Sequence, residues 1–87
     1  MANHKNVVFV VQLIKSEEWV TGDAFYPQLT EHLNKANRSA TRSDAKAYVK
    51  TAAKRLKKKP DEFKILQATE ERDEQFNLVG MTLGVAE

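Results

Sequence analysis

Asn6-Val7-Val8-Phe9-Val10-Val11-Gln12-Leu13-Ile14-Lys15-Ser16 is the stretch on which the fold turns. Val7, Val10, Val11 and Ile14 recur at helical spacing, whereas the density of β-branched side chains favours a strand. The apolar run continues past the length of a typical single strand, so the segment reads as a first helix. It superficially resembles the core of a signal peptide. Against that, Gln12 interrupts it, Lys15, Glu17 and Glu18 follow, and no small-residue cleavage site appears. It is also much shorter than the ~20 residues that span a bilayer, and no membrane association is expected. Residues 1–5 ahead of it are expected to be flexible.

Working outward, Trp19-Val20-Thr21 is a short extended piece ended by Gly22, and Trp19 is expected to anchor the core against the C-terminal hairpin. A second helix is expected from Asp23 to Lys35. Phe25, Leu29, Leu33 and Ala36 recur at helical spacing, Asp23 can serve as N-cap, and Pro27 falls in the first turn, where a missing N–H does least harm. The third helix, 41–59, has the clearest signal. Thr41 can cap it, with Asp44 at the third helical position, and Pro60 stops it. At 100° per residue, Ala45, Tyr48, Val49, Ala52, Ala53 and Leu56 form one apolar arc, while Lys46, Lys50, Lys54, Lys57 and Lys58 form a separate basic arc. Beyond Pro60 the period changes to two. Residues 62–84 read as a β-hairpin, with strands 63–69 and 75–83 joined by the acidic loop Glu70-Glu71-Arg72-Asp73-Glu74. The apolar parity shifts at Gly80, which suggests a bulge. The expected fold class is therefore α+β: three helices followed by a two-stranded antiparallel hairpin.

Eighty-seven residues, 41% of them hydrophobic, make one domain, 1–87, with no room for a second core. A chain of this size buries about 60–65% of its unfolded surface, so modest stability is expected. There are no cysteines to form disulfides or thiolate metal sites. A reducing interior such as the cytoplasm is the simplest setting, with the nucleoid or nucleus the alternative for a DNA-binding protein.

The net charge of +2 hides a strong separation. Lys35 to Lys59 holds ten of the fourteen lysines and arginines against Asp44 alone, a formal +9, and the other residues carry four bases against eleven acids, −7. One surface of such a chain suits polyanions and another repels them.

Helix, short strand, helix, turn, helix and hairpin is also the element order of winged helix-turn-helix domains, which this chain resembles from about Val7 to Leu83. The resemblance implies that helix 41–59 enters the major groove of DNA, presenting Arg42, Ser43, Lys46, Lys50 and Lys54, while the hairpin flanks a neighbouring phosphate backbone. Four acids at the hairpin tip depart from that pattern. They would be repelled by phosphate and suit a basic protein partner instead.

The expected function is that of a small non-enzymatic nucleic-acid-binding protein, DNA favoured over RNA, such as a transcriptional regulator or accessory factor. Its candidate contacts are Arg38, Thr41, Arg42, Ser43, Lys46, Lys50, Lys54, Lys57 and Lys58. Lysine acts as a point charge and reads bases poorly, so backbone affinity should dominate, and Arg38, Arg42 and Ser43 are the candidate base readers. The competing reading is a protein-interaction module using Glu70, Glu71, Asp73 and Glu74. Binding as a homodimer, with the N-terminal apolar segment or the hairpin edge as the contact, also stays open.

No catalytic residues, metal ligands or cofactors are expected. His4 and His32 lie far apart, and Glu17-Glu18 and Asp61-Glu62 have no histidine or nucleophile at useful spacing. Three glycines form no phosphate loop. Phe25 and Tyr48 fall on the apolar sides of their expected helices, which leaves Tyr26 as the candidate for an exposed, base-stacking ring.

Overall fold

A computed structural model describes residues 3–84 of the chain. It is built on five strands: β1 (His4–Leu13), β2 (Trp19–Thr21), β3 (Gln28–Thr30), β4 (Phe63–Arg72) and β5 (Leu78–Leu83). They form one antiparallel sheet in the order β3-β2-β1-β4-β5, and a single α-helix, α1 (Arg42–Arg55), packs on it. The three-helix, winged-helix-like architecture expected from the sequence is overturned. Two of its three helices are strands and turns, and its two-stranded hairpin is one side of a five-stranded sheet.

The first expected helix is β1, the centre of the sheet, paired with β4 along ten residues from His4↔Arg72 to Leu13↔Phe63. Its ladder begins at His4, inside the segment expected to be flexible. A strand alternates its side chains between two faces, and both faces of β1 are covered from Val8 to Leu13. Val11 and Leu13 face α1 and pack with Val20, Tyr48, Val49, Ala52, Ala53 and Phe63. Val8 and Val10 point the other way and pack with Trp19, Ala36 and Ala68, with Leu33 and Met81 against them. A strand buried on both sides is apolar at nearly every position. The helical spacing of Val7, Val10, Val11 and Ile14 is therefore incidental to a continuous run.

The second expected helix is also absent. Gly22 adopts a left-handed φ of 83°, and the Asp23 carboxylate accepts hydrogen bonds from the Phe25 and Tyr26 N–H groups at 2.7 and 3.3 Å. That is an Asx turn and not a helix cap. Pro27 disfavours helical backbone at Tyr26, and the chain enters β3, which pairs with β2 through Val20↔Leu29. A single 3-10 turn, Leu33–Lys35, follows. It lies beside β2 and β5 and carries Ala36 into the core on the face opposite α1.

The third expected helix is α1, shorter than 41–59. Thr41 caps it by accepting the Asp44 N–H at 3.1 Å. It stops after Arg55 because Lys57 takes a left-handed φ of 59° and the Lys58 N–H returns to the Ala53 carbonyl at 2.9 Å. Pro60 opens a separate 3-10 turn, in which Glu62 accepts the Lys59 N–H. In the hairpin the register slips between Glu71 and Arg72, leaving Val79 without a partner beside Gly80.

Candidate nucleic-acid interface

The buried side of α1, Ala45, Tyr48, Val49, Ala52 and Ala53, sets which side chains remain outside. Ala45 and, two turns later, Ala52 and Ala53 put small side chains on that side, which favours close approach of the helix to the sheet. The Tyr48 hydroxyl donates to the Gly22 carbonyl at 2.7 Å, tying α1 to the β2–β3 turn. Burial, and secondarily the charge of Asp23, pushes the Tyr48 phenol up to about 12.

Arg42, Lys46, Lys50 and Lys54 are exposed at four-residue intervals. Each step advances about 6 Å along the axis and turns only ~40° around it, so the four cations form one row about 18 Å long. Among the described residues none of the four forms an ion pair; the recorded pairs are Lys5–Glu71, Arg38–Glu70 and Arg72–Glu70. Arg42 also lays its guanidinium over the Phe9 ring, 5.1 Å from the centroid, which steadies the first member of the row. Ser43 is exposed beside it.

The other expected contacts fall away from this row. Arg38 is not available as a base reader: its Nε lies 2.9 Å from the Glu70 carboxylate, and its Nη1 donates to the Asn34 carbonyl. Thr41 uses its hydroxyl in the cap. Lys57 and Lys58 lie beyond the end of α1, outside its regular spacing.

The acids expected at a hairpin tip have other occupations. β4 continues through Arg72, which places Glu70 and Glu71 within the strand. Glu70 is only 7% exposed and is clamped between Arg38 and Arg72. Glu71 accepts from Asn3 at 2.7 Å and lies near Lys5. Asp73 holds its own turn by accepting the Gln75 and Asn77 N–H groups, each at 2.9 Å. Glu74 alone of the four is exposed with no recorded partner among the described residues. A clustered acidic surface for a basic partner is not assembled there.

Two features of the site were not anticipated. The first is an open groove of about 430 Å³ between α1 and β4. Arg42, Lys46 and Lys50 form its wall, and Val49, Phe63 and Ile65 its floor. The alternation of Phe63 and Ile65 marks one strand face in the sequence, but nothing in that pattern shows that α1 leaves this edge uncovered. The second is the exposure of Phe25. Expected on an apolar side, it is 59% exposed beneath the Arg55 guanidinium, next to Tyr26, the ring expected to be open, which is 80% exposed. Both follow from the Asx turn that replaces the second helix.

Elsewhere, the His4 ring stacks on Phe76 with centroids 4.7 Å apart, and His32 lies exposed in a loop. Among the described residues no group of three acidic or histidine side chains could hold a metal. Nor, among them, is any helix long and apolar enough to cross a membrane. No protein family, curated protein or solved structure matches this chain.

Proposed function

We propose that this chain is a small non-enzymatic nucleic-acid-binding protein that holds a polynucleotide backbone on the row Arg42, Lys46, Lys50 and Lys54. One observation carries the reading: four exposed cations on one rigid helix, with no carboxylate of the described residues paired to them. Affinity for nucleic acid comes largely from neutralising phosphates and releasing their counterions, and lysine point charges suffice for that. A helix held by its buried side keeps the row in place before the ligand arrives, so little is lost in ordering it.

Entry of α1 into a major groove in the manner of a winged helix is not part of the proposal. Among the described residues no α-helix precedes α1 to brace it on a duplex, and the sheet lies along its inner side. What remains is recognition of the phosphate backbone, without a base code.

Fluorescence anisotropy with labelled duplex DNA, single strands and structured RNA at several salt concentrations tests this. Binding should weaken steeply with salt. Lys50→Glu combined with Lys54→Glu should lower affinity at least about 100-fold and flatten the log–log salt slope by about 2. Circular dichroism should show the fold unchanged, since both side chains are exposed. A double variant that binds every polynucleotide as the parent does would remove the reading.

A further inference from the structure

A row of cations by itself does not distinguish a duplex from a single strand; the groove beside it does. This inference rests on the nucleic-acid reading above and goes on to name the class of ligand. We infer that the groove between α1 and β4 seats unpaired bases of a single-stranded polynucleotide whose phosphates lie on Arg42, Lys46 and Lys50.

Three observations converge. First, the wall and floor differ in chemistry: three cations stand above Val49, Phe63 and Ile65. A nucleotide has the matching division, with an anionic phosphate at one end and a flat, largely apolar base face at the other. Second, the groove is open, and its volume, about 430 Å³, is enough to seat a base. Third, the backbone parity of β4 turns main-chain groups away from β1 there. β5 pairs only with Ala68 to Arg72, so among the described residues no strand lies beside Phe63 to Leu66 on that edge. The Gln67 carbonyl points to that edge, since it accepts the Gly84 N–H at 2.9 Å. By the alternation of an antiparallel ladder, Ile65 directs its N–H and C=O the same way. A base lying on the Ile65 side chain would meet a donor and an acceptor at its rim.

A duplex cannot use this arrangement. Its bases are stacked inside and its convex surface presents phosphates, so the apolar floor would stay empty. An unpaired strand can place phosphates on the wall and turn its bases inward. The ~6 Å steps of the cation row are close to the spacing of successive phosphates along an extended strand. Positive track and base-accepting surface side by side is the general device of proteins that hold single strands.

The chain contains two isoleucines, Ile14 and Ile65, and Ile14 does not line the groove. Methyl NMR on the full chain labelled at isoleucine δ1 therefore gives one reporter and one control. Adding dT12 should move the Ile65 signal and leave Ile14 in place; rU12 in a parallel arm shows whether the sugar matters; a 12-base-pair duplex should leave both signals unmoved. Ile65→Ser, which alters no charge, should lower dT12 affinity about 10-fold in anisotropy while duplex affinity stays the same. Oligonucleotides that bind by anisotropy without moving Ile65 would overturn the inference and leave the basic-row reading intact. No binding of any polynucleotide would overturn both. An Ile65 signal moved by a 12-residue polyglutamate and by neither oligonucleotide would assign the groove to acidic peptides and overturn it as well.

Discussion

The basic row of α1 and the acids of the β4–β5 hairpin look alike on the page, each a run of charge on a surface element, yet they are held in opposite ways. Glu70 binds two guanidinium groups, Glu71 meets Asn3 and Lys5, and Asp73 closes its own turn. Arg42, Lys46, Lys50 and Lys54 meet no carboxylate of the described residues. Charge that is paired within the chain holds the fold together. Charge left unpaired in water is available to a ligand, at the cost of self-repulsion along the helix. The lesson is that a charge run shows its role through its partners and not through its density.

The sharpest way to break this comparison is to treat both regions as equivalent. Glu70→Gln should lower unfolding free energy by about 2 kcal/mol in urea denaturation, because it strips two arginines of a shared, nearly buried partner. The effect stays below that of a fully buried pair, since both guanidinium groups keep some contact with water. Nucleic-acid affinity should hold or rise, as Arg38 is released. If Glu70→Gln left stability untouched while Lys50→Glu reduced it, the assignment of structural and free charge would be reversed.

A smaller effect separates the inner side of α1 from its outer side. Tyr48→Phe removes the hydrogen bond to Gly22 and should cost about 1 kcal/mol at pH 8. The folded phenol, raised to about 12, keeps its proton where the unfolded chain, near 10, begins to lose it. Its stabilising contribution is therefore complete below pH 10 and is lost as pH rises towards 12. Urea denaturation of parent and variant at pH 8, 10 and 11.5 should show the gap closing over that window. A constant gap would mean that the hydroxyl is not shielded.

The smallest expected effect sharpens the comparison within the hairpin. Glu74→Lys should change stability by less than about 0.5 kcal/mol, because Glu74 is exposed and takes no part in the hydrogen bonds and ion pairs that engage its three neighbours. A change as large as that of Glu70→Gln would place Glu74 in the same network.

The helix that carries the candidate site was legible in the sequence for local reasons. A threonine cap, an apolar arc and a basic arc are properties of one segment, and helical geometry converts them directly into sides. The alternation from Phe63 onward exposed β4 in the same way. β1 was not legible. Its neighbours on both faces come from distant parts of the chain, and a strand covered twice loses the alternation that would mark it. The segment after Gly22 misled for a related reason: Phe25, Leu29 and Leu33 match a helical period, but Asp23 and Pro27 favour a turn and an extended restart just as well, and pairing with β2 decided between them.

Charge separation, the capped helix and its cationic side follow from residue order, because they depend on neighbours within a few positions. Which cations stay free, which acids are buried and where a groove opens depend on contacts between segments far apart in the chain. Arg38 and Glu70 are 32 positions apart, and only the sheet that brings β4 against the segment after β3 makes one neutralise the other.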